Sequence, residues 1–352
     1  MRLIHCADLH LDSKMEANLP ASQARERKAE LLGTFARLVA FARQQQADGV
    51  LICGDLFDTE RVSAKTLRQV LDMMAKAADV EFFWLRGNHD GNLLGGELPE
   101  NVRIFEENWT CYRRGGVVIA GLEPENWETM YEDLKLPENT VNIVLLHGQV
   151  STQPGEDLIA LPKLRGRNID YLALGHLHSY RKEALDDRGS WCYCGCLEGR
   201  GFDECGQKGF VLLDIENGSV KTTFVPFASR QLHEVAVDIT DCIRITHLQT
   251  AMEQAAAGIG PDAMVKFTLT GTYTPETQMD RTYLTRYFGQ KFYFVKIKDE
   301  SRFRIDPGSY EHDISLKGEF IRLVMASGKT EEEKGRIICA GLQALAGEEV
   351  TV

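Results

Sequence analysis

The stretch Gly49-Val50-Leu51-Ile52-Cys53-Gly54-Asp55-Leu56-Phe57-Asp58 decides how the chain is read. Its first five residues are small or apolar, with β-branched Val50 and Ile52, and predict a strand buried on both faces. Gly54 and Asp55 end that strand with a turn and a carboxylate, and Asp58 follows before a helical pattern over Ser63–Ala77. A carboxylate at the C-terminal mouth of a buried strand lies where open α/β sheets bind ligands. Gly and Asp are also ordinary turn residues, so the stretch gains its meaning from company.

That company is found on both sides. Arg2–Ala7 reads as a strand opening onto Asp8-Leu9-His10-Leu11-Asp12, and Val80–Leu85 as one running into Arg86-Gly87-Asn88-His89-Asp90. Val141–Leu146 ends in His147-Gly148, and Tyr171–Leu174 ends in Gly175-His176-Leu177-His178. Ala21–Gln46 is rich in helix formers and predicts a long helix. Strands alternating with helices indicate βαβ units and a mainly parallel sheet, to which Val102–Phe105 and Val117–Leu122 add strands. Beyond His178 the rhythm changes. Trp191–Gly195, Gly209–Ile215 and Lys221–Pro226 are short strands between turns, and predict an antiparallel second sheet.

Near Ser229 a new unit begins: strands at His233–Ile239, Met264–Thr270 and Lys291–Ile297 interleave with helical stretches at Leu248–Ala257 and Tyr283–Phe288. Pro307-Gly308 marks a linker, and Leu316–Met325 with Glu331–Leu345 reads as a helical hairpin. The expected division is 1–228, 229–306 and 307–352.

The 352 residues carry a net charge of −12, the wrong sign for a simple nucleic-acid binder, so any attraction for DNA must come from local patches, bound metal or a partner. No apolar run reaches the roughly 20 residues that span a bilayer, and the N-terminus lacks a signal-peptide pattern; a cytoplasmic protein is expected. The nine cysteines then read as reduced thiols. Cys192, Cys194, Cys196 and Cys205 suggest zinc, but their spacing lacks the paired ligand arrangement of structural zinc sites, and buried or turn thiols are the preferred reading.

The chemistry sits in five segments: Asp8-x-His10, Asp55-x-x-Asp58, Asn88-His89-Asp90, His147, and His176-x-His178. Residues two apart in extended chain face the same way, so each x-separated pair can enter one pocket. Mixed imidazole and carboxylate donors suit manganese, iron or zinc rather than a calcium cage. There are more donors than one ion needs, which points to two ions, as in binuclear phosphoesterases.

The order D-x-H, G-D-x-x-D, G-N-H-D, H, G-H-x-H resembles that of the calcineurin-like metallophosphoesterases. Within them the chain resembles the SbcD-type DNA repair exonuclease family, in its YhaO-like branch. His5-Cys6-Ala7-Asp8-Leu9-His10-Leu11-Asp12-Ser13, Gly199-Arg200-Gly201-Phe202-Asp203-Glu204 and Ser315-Leu316-Lys317-Gly318-Glu319-Phe320 carry that narrower likeness. The resemblance implies an α/β, four-layer metallophosphoesterase fold, two mixed β-sheets flanked by helices, with a small α+β capping domain and a C-terminal helical hairpin for partner docking. It implies one divalent ion on Asp8, His10, Asp55 and His178, and a second on Asp55, Asn88, His147 and His176. Manganese is the first choice, with iron and zinc as alternatives. His89 would serve as general acid, and the Asp58 carboxylate would orient it. The reaction implied is in-line hydrolysis of a phosphodiester without a covalent enzyme intermediate. Asp12 stands where many relatives carry Gly, and reads as a capping or turn acid as readily as a metal neighbour.

The implied activity is a DNA exo/endonuclease acting on ends or hairpins, partnered by an SbcC-type coiled-coil ABC ATPase, with homodimerisation compatible and no membrane involved. The runner-up is a metallophosphoesterase for a nucleotide, cyclic nucleotide or phosphoprotein, favoured by the acidic charge. A third reading, a catalytically silent scaffold, is opposed by the intact His89 and seven candidate ligands. Basic residues from Arg281 to Lys298 alternate with Tyr283, Tyr287, Phe288, Phe292, Tyr293 and Phe294. Packed core is the preferred reading for most of these aromatics over a nucleic-acid surface.

Overall fold

The computed structural model of the protein describes residues 1–15, 19–59, 61–90, 97–123, 127–153, 158–274, 277–305 and 307–345. The chain divides into two compact units, Met1–Gln231 and Leu232–Val352.

The first unit is a mixed α/β fold of two six-stranded sheets. In one sheet Arg2–Cys6, Gly49–Cys53, Glu81–Leu85 and Val102–Ile104 run parallel side by side, and Gly209–Glu216 and Ser219–Pro226 extend the other edge antiparallel. In the other, Tyr171–Gly175 is parallel to Val141–His147 and to Ser190–Tyr193, with edges at Arg181–Ala184 and Thr110–Arg114. Pleating explains the core. Leu3, Leu51, Phe83, Leu85, Ile143, Leu145, Tyr171 and Ala173 meet between the sheets, all fully buried. Val144, Leu146, Leu172 and Leu174 alternate with them and are covered on the outer face by Met130, Tyr131, Leu134, Leu161 and Leu164. A strand buried on both faces must read as a continuous apolar run, as Val141–Leu146 does.

The first sheet is covered on its other face as well. Helix Ala21–Gln44 buries Leu31, Phe35, Leu38 and Ala42, and its Phe41 ring sits 5.2 Å from Phe210. Helix Ala64–Lys76 starts at Ser63, whose hydroxyl accepts from the Thr66 amide. Asp12 ties this start down, accepting from the Ser63 amide at 2.8 Å and the Thr66 hydroxyl at 3.0 Å, with the Lys28 ammonium 2.7 Å away. Asp12 is thus a capping acid.

One expectation is corrected. Trp191–Gly195, Gly209–Ile215 and Lys221–Pro226 do not make a sheet of their own. Ser190–Tyr193 joins the Tyr171 strand in parallel, whereas Gly209–Glu216 returns to pair with Arg2–Cys6. Short strands look alike locally, and their partners lie some 200 residues away in the latter case. The strands Thr110–Arg114, Gln149–Ser151, Leu158–Ala160 and Arg181–Ala184 also carry no clear periodic signal.

The second unit begins with a three-stranded parallel sheet, Leu232–Asp238, Met264–Thr270 and Phe294–Asp299, packed by helices Ile245–Ala255 and Arg281–Phe288. Most of its aromatics are core. Phe288 is buried 4.9 Å from Phe267, and Phe292 packs on the same cluster. Lys291 pairs with Glu253, and the Tyr287 hydroxyl donates to the same carboxylate. Helices Leu316–Met325 and Glu331–Leu345 form a hairpin around Tyr310, Ile321, Val324 and Ile338. Among the described residues, no helix is long and apolar enough to cross a membrane.

Candidate metal centre

Parallel pairing brings the five polar segments to one end of the first unit. Arg2–Cys6, Gly49–Cys53 and Glu81–Leu85 are neighbours in one sheet, and Val141–His147 and Tyr171–Gly175 are neighbours in the other. Asp8, Asp55, His147 and His176 therefore converge from four adjacent strand ends. Two glycines make room. A Cβ on Gly54, which has φ +86°, would lie 2.0 Å from His147 Nδ1, and one on Gly87 would lie 2.2 Å from Asp55 Oδ1. The donors themselves hold unusual backbone. Asp8, His10, Asp55 and His176 have φ of 52°, 46°, 50° and 106°. Each such residue costs on the order of 1 kcal/mol or more, a strain typical of sites whose geometry serves chemistry.

Two groups of ligand atoms lie within 4.8 Å of one another: Asp8 with His10 and His178, and Asp8 with Asp55 and His147. His147 Nε2 is 3.4 Å from Asp55 Oδ2 and 3.0 Å from Asn88 Oδ1. The His176 amide donates to both Asp8 oxygens at 3.0 and 3.1 Å, and its ring stands edge-on to His147 with centroids 5.6 Å apart. Its side chain belongs to neither of the two groups. Asp8, His10, Asp55 and His147 are buried, while Asn88 and His89 are exposed.

The donor arrangement fits cations. His147 Nδ1 faces the Cys53 carbonyl at 2.9 Å, so the proton resides there and the Nε2 lone pair points at Asp55. His178 Nδ1 faces Glu204 Oε1 at 2.7 Å, which likewise leaves Nε2 as the lone-pair nitrogen. That Nε2 lies 3.1 Å from His10 Nε2. Two imidazole nitrogens and two buried carboxylates around one space need positive charge between them.

The ionisation pattern agrees. Burial alone would keep Asp55 protonated, yet the hydrogen bond and charge of His147, the His89 amide and His10 bring it down to about 2. Burial likewise opposes charge on His147, but Asp55 and Asp8 raise it to about 9. Asp8 is pushed up by burial. His178 is raised, chiefly by its bond to Glu204.

His89 donates its amide to Asp55 Oδ1 at 3.0 Å, and its ring centroid is 5.3 Å from that of His10. Its Nδ1 meets the backbone carbonyl of Asp58 at 3.2 Å, where the carboxylate was expected. That carboxylate is engaged elsewhere. Asp58 Oδ1 accepts from Arg200 Nη1 at 2.5 Å and lies 3.2 Å from His10 Nδ1, close enough for charge contact though out of line for a hydrogen bond.

Three further residues shape the centre. Glu204, held at about 2 against burial by His178 and Arg200, fixes the His178 tautomer. Arg200 binds Glu204 and Asp58. Asp90 is buried and accepts the amides of Leu56, Phe57 and Gly87, locking two of the motif loops together. Burial raises its pKa to about 6 despite those bonds. Asp90 stands in the Gly-Asn-His-Asp run, and Arg200 and Glu204 in the Gly199–Glu204 run, but spacing alone attaches none of them to a partner. Cys192, Cys194 and Cys196 are buried free thiols and Cys205 is partly buried; Cys194 Sγ donates to the Gly195 carbonyl.

Comparison with known proteins agrees with this geometry. Metallophosphoesterase YhaO of Bacillus subtilis (strain 168) is 28% identical over 300 residues, covering 77% of this chain and 72% of the relative. DNA double-strand break repair protein Mre11 of Methanosarcina acetivorans is 25% identical over 218 residues, covering 56% of this chain and 34% of that one. Mre11 of Sulfurisphaera tokodaii is 28% identical over 212 residues, with coverages of 53% and 51%. The chain thus spans a third to a half of the length of those two Mre11 proteins. The family model of the calcineurin-like phosphoesterases, hydrolases that use divalent metal ions, matches residues 1–180. With more than half of its length matched and the family's donor types gathered at one set of strand ends, the chain belongs to the calcineurin-like phosphoesterases.

Proposed function

We propose that this protein is a dinuclear metal-dependent phosphodiesterase that hydrolyses DNA, acting with an SbcC-type ATPase. The observation that carries the reading is the convergence of ring nitrogens from His10, His147 and His178 on Asp8 and Asp55. One ion would be held by Asp8, His10, Asp55 and His178, the other by Asp55, Asn88, His147 and His176, with manganese the first choice for both. Bound there, divalent ions lower the pKa of water and offset phosphoryl charge.

The chain's own residues do the rest. The Asp58 carbonyl accepts from His89 Nδ1, which keeps a proton on that nitrogen and turns Nε2 outward. In the imidazolium, the Nε2 proton passes to the leaving alkoxide as the P–O bond breaks, leaving neutral imidazole. The His89 amide to Asp55 fixes this ring beside the ligand set. The DNA reading is supported by the Mre11 relatives and by the likeness to the SbcD-type exonucleases in the Gly199–Glu204 run.

The test is digestion of end-labelled linear duplex, hairpin and single-stranded DNA by the purified chain with manganese, alone and with the SbcC-type partner. Metal-dependent release of labelled product is expected. Intact DNA alongside hydrolysis of bis-p-nitrophenyl phosphate would instead favour a nucleotide, cyclic nucleotide or phosphoprotein substrate, the reading that the net charge of −12 supports. No hydrolysis of any phosphoester would leave the scaffold reading.

A further inference from the structure

The two histidines that face each other across the first ion site are not held independently. His178 Nδ1 is bound to Glu204 Oε1 at 2.7 Å, and His10 Nδ1 lies 3.2 Å from Asp58 Oδ1. Both carboxylates end on one side chain. Arg200 Nη1 donates to Asp58 Oδ1 at 2.5 Å, while Nη2 and Nε donate to Glu204 Oε1 at 3.0 and 3.3 Å. The Arg200 amide adds a bond to Glu204 Oε2 at 2.7 Å, and the Glu204 amide closes the turn on the Gly201 carbonyl at 2.9 Å. Arg200, Asp58, His10, His178 and Glu204 therefore form a ring: hydrogen bonds run from Asp58 through Arg200 and Glu204 to His178, a charge contact joins Asp58 to His10, and the two Nε2 atoms approach to 3.1 Å.

We propose that Arg200 is a positioning residue: its guanidinium holds the carboxylate that is hydrogen-bonded to His178 and the carboxylate whose charge faces His10, and so governs occupancy of the ion site those imidazoles share with Asp8. This rests on the dinuclear reading above. Planar forked donors can span two acids, whereas a lysine ammonium is a single point. Arg200 also neutralises Asp58 and Glu204, which otherwise repel each other and add negative charge beside Asp8. The second site stands apart from this ring. Its His147 is set by the Cys53 carbonyl at the end of a buried strand and faces Asp55 and Asn88. Removal of Arg200 therefore weakens one site and spares the other.

The full-length chain, stripped of metal and titrated with manganese, tests this directly. Electron paramagnetic resonance reads free ion, bound stoichiometry and the signature of a spin-coupled pair. For the wild type, two bound ions and a coupled signal are expected. In Arg200→Met one ion should keep its affinity, the other should weaken by at least tenfold, and coupling should vanish at stoichiometric metal. Glu204→Gln should shift in the same direction, and Arg200→Lys should recover only part of the loss. Two ions bound within threefold of wild-type affinity in Arg200→Met and Glu204→Gln, with coupling intact, would overturn the proposal. Equal weakening of both ions would overturn its selectivity. Should Arg200→Met fail to fold, by far-ultraviolet circular dichroism of the metal-free chain, Glu204→Gln and Arg200→Lys decide between the same outcomes. Fewer than two ions on the wild type would defeat the dinuclear reading itself, a result distinct from any behaviour of the variants.

Discussion

At the scale of single residues, the same side-chain type does opposite work depending on what surrounds it. His147 and His5 are both buried imidazoles. Carboxylates face the first, and burial with only neutral partners, the Tyr171 hydroxyl and the Leu174 carbonyl, surrounds the second. His5 is driven down to about 3 by burial, against a smaller opposing effect from the Leu174 carbonyl. The sign follows from linkage. Between about 3 and the ordinary 6.5 the unfolded chain binds a proton that the folded chain excludes, so His5 favours folding above 6.5 and that contribution is lost as pH falls. From pH 6.5 to 5 the loss is about 2 kcal/mol at 1.36 kcal/mol per unit. Urea unfolding of the metal-free chain at the two pH values should show it, and His5→Gln should flatten the slope by about that amount; an unchanged slope counts against the assignment. At the centre, Asp55 stands between His10, 3.9 Å away, and His147, 3.4 Å away. Asp55→Ala should abolish binding of at least one manganese ion, read by calorimetric stoichiometry, and full stoichiometry would refute the role given to it.

At the scale of elements, the site depends on how closely strand ends and loops approach. Gly54 and Gly115 both have positive φ, but a Cβ on Gly54 meets His147, whereas one on Gly115 meets open space. Gly115→Ala should therefore cost about 1 kcal/mol of stability and leave manganese affinity unchanged. Gly54→Ala should cost more and weaken manganese by at least tenfold, because His147 must move. Paired thermal melts and metal titrations separate the two, and equal metal affinity in both variants would contradict the crowding argument. Strand identity was legible from apolar runs, and Gly49–Cys53 and Met264–Thr270 fall within the expected bounds. Arg181–Ala184 was not, because an edge strand with all four residues exposed has no apolar face to reveal it.

At the scale of the molecule, metal binding and stability are linked. An ion that binds only the folded chain stabilises it by about 2.7 kcal/mol at a hundredfold excess over Kd. Hydrogen exchange should show where that stabilisation falls. On adding manganese, protection should rise in peptides covering 7–11, 54–58, 87–90, 147–148 and 175–178. Peptides within Leu232–Val352, the other compact unit, should remain unchanged. Protection spread evenly over both units would argue against a centre confined to the first unit's strand ends.

Sequence by itself determined which residue types stand at which strand ends. Burial on both faces demands continuous apolar runs, and the chemistry follows each run directly, as Asp55 follows Gly49–Cys53. It also determined that the Phe288 and Phe292 region reads as core. Tertiary structure alone decided which strands pair and which distant groups meet. Gly209–Glu216 chooses Arg2–Cys6, Glu204 meets His178, and Arg200 reaches Asp58 across 142 positions of chain. It also moved the Asp58 carboxylate from His89 to Arg200 and His10. The reason is physical. Periodicity records local backbone and one-sided burial, which a few neighbouring residues set. Pairing and side-chain contact depend on loop closure and on the charge of every group brought to the same end of the sheets.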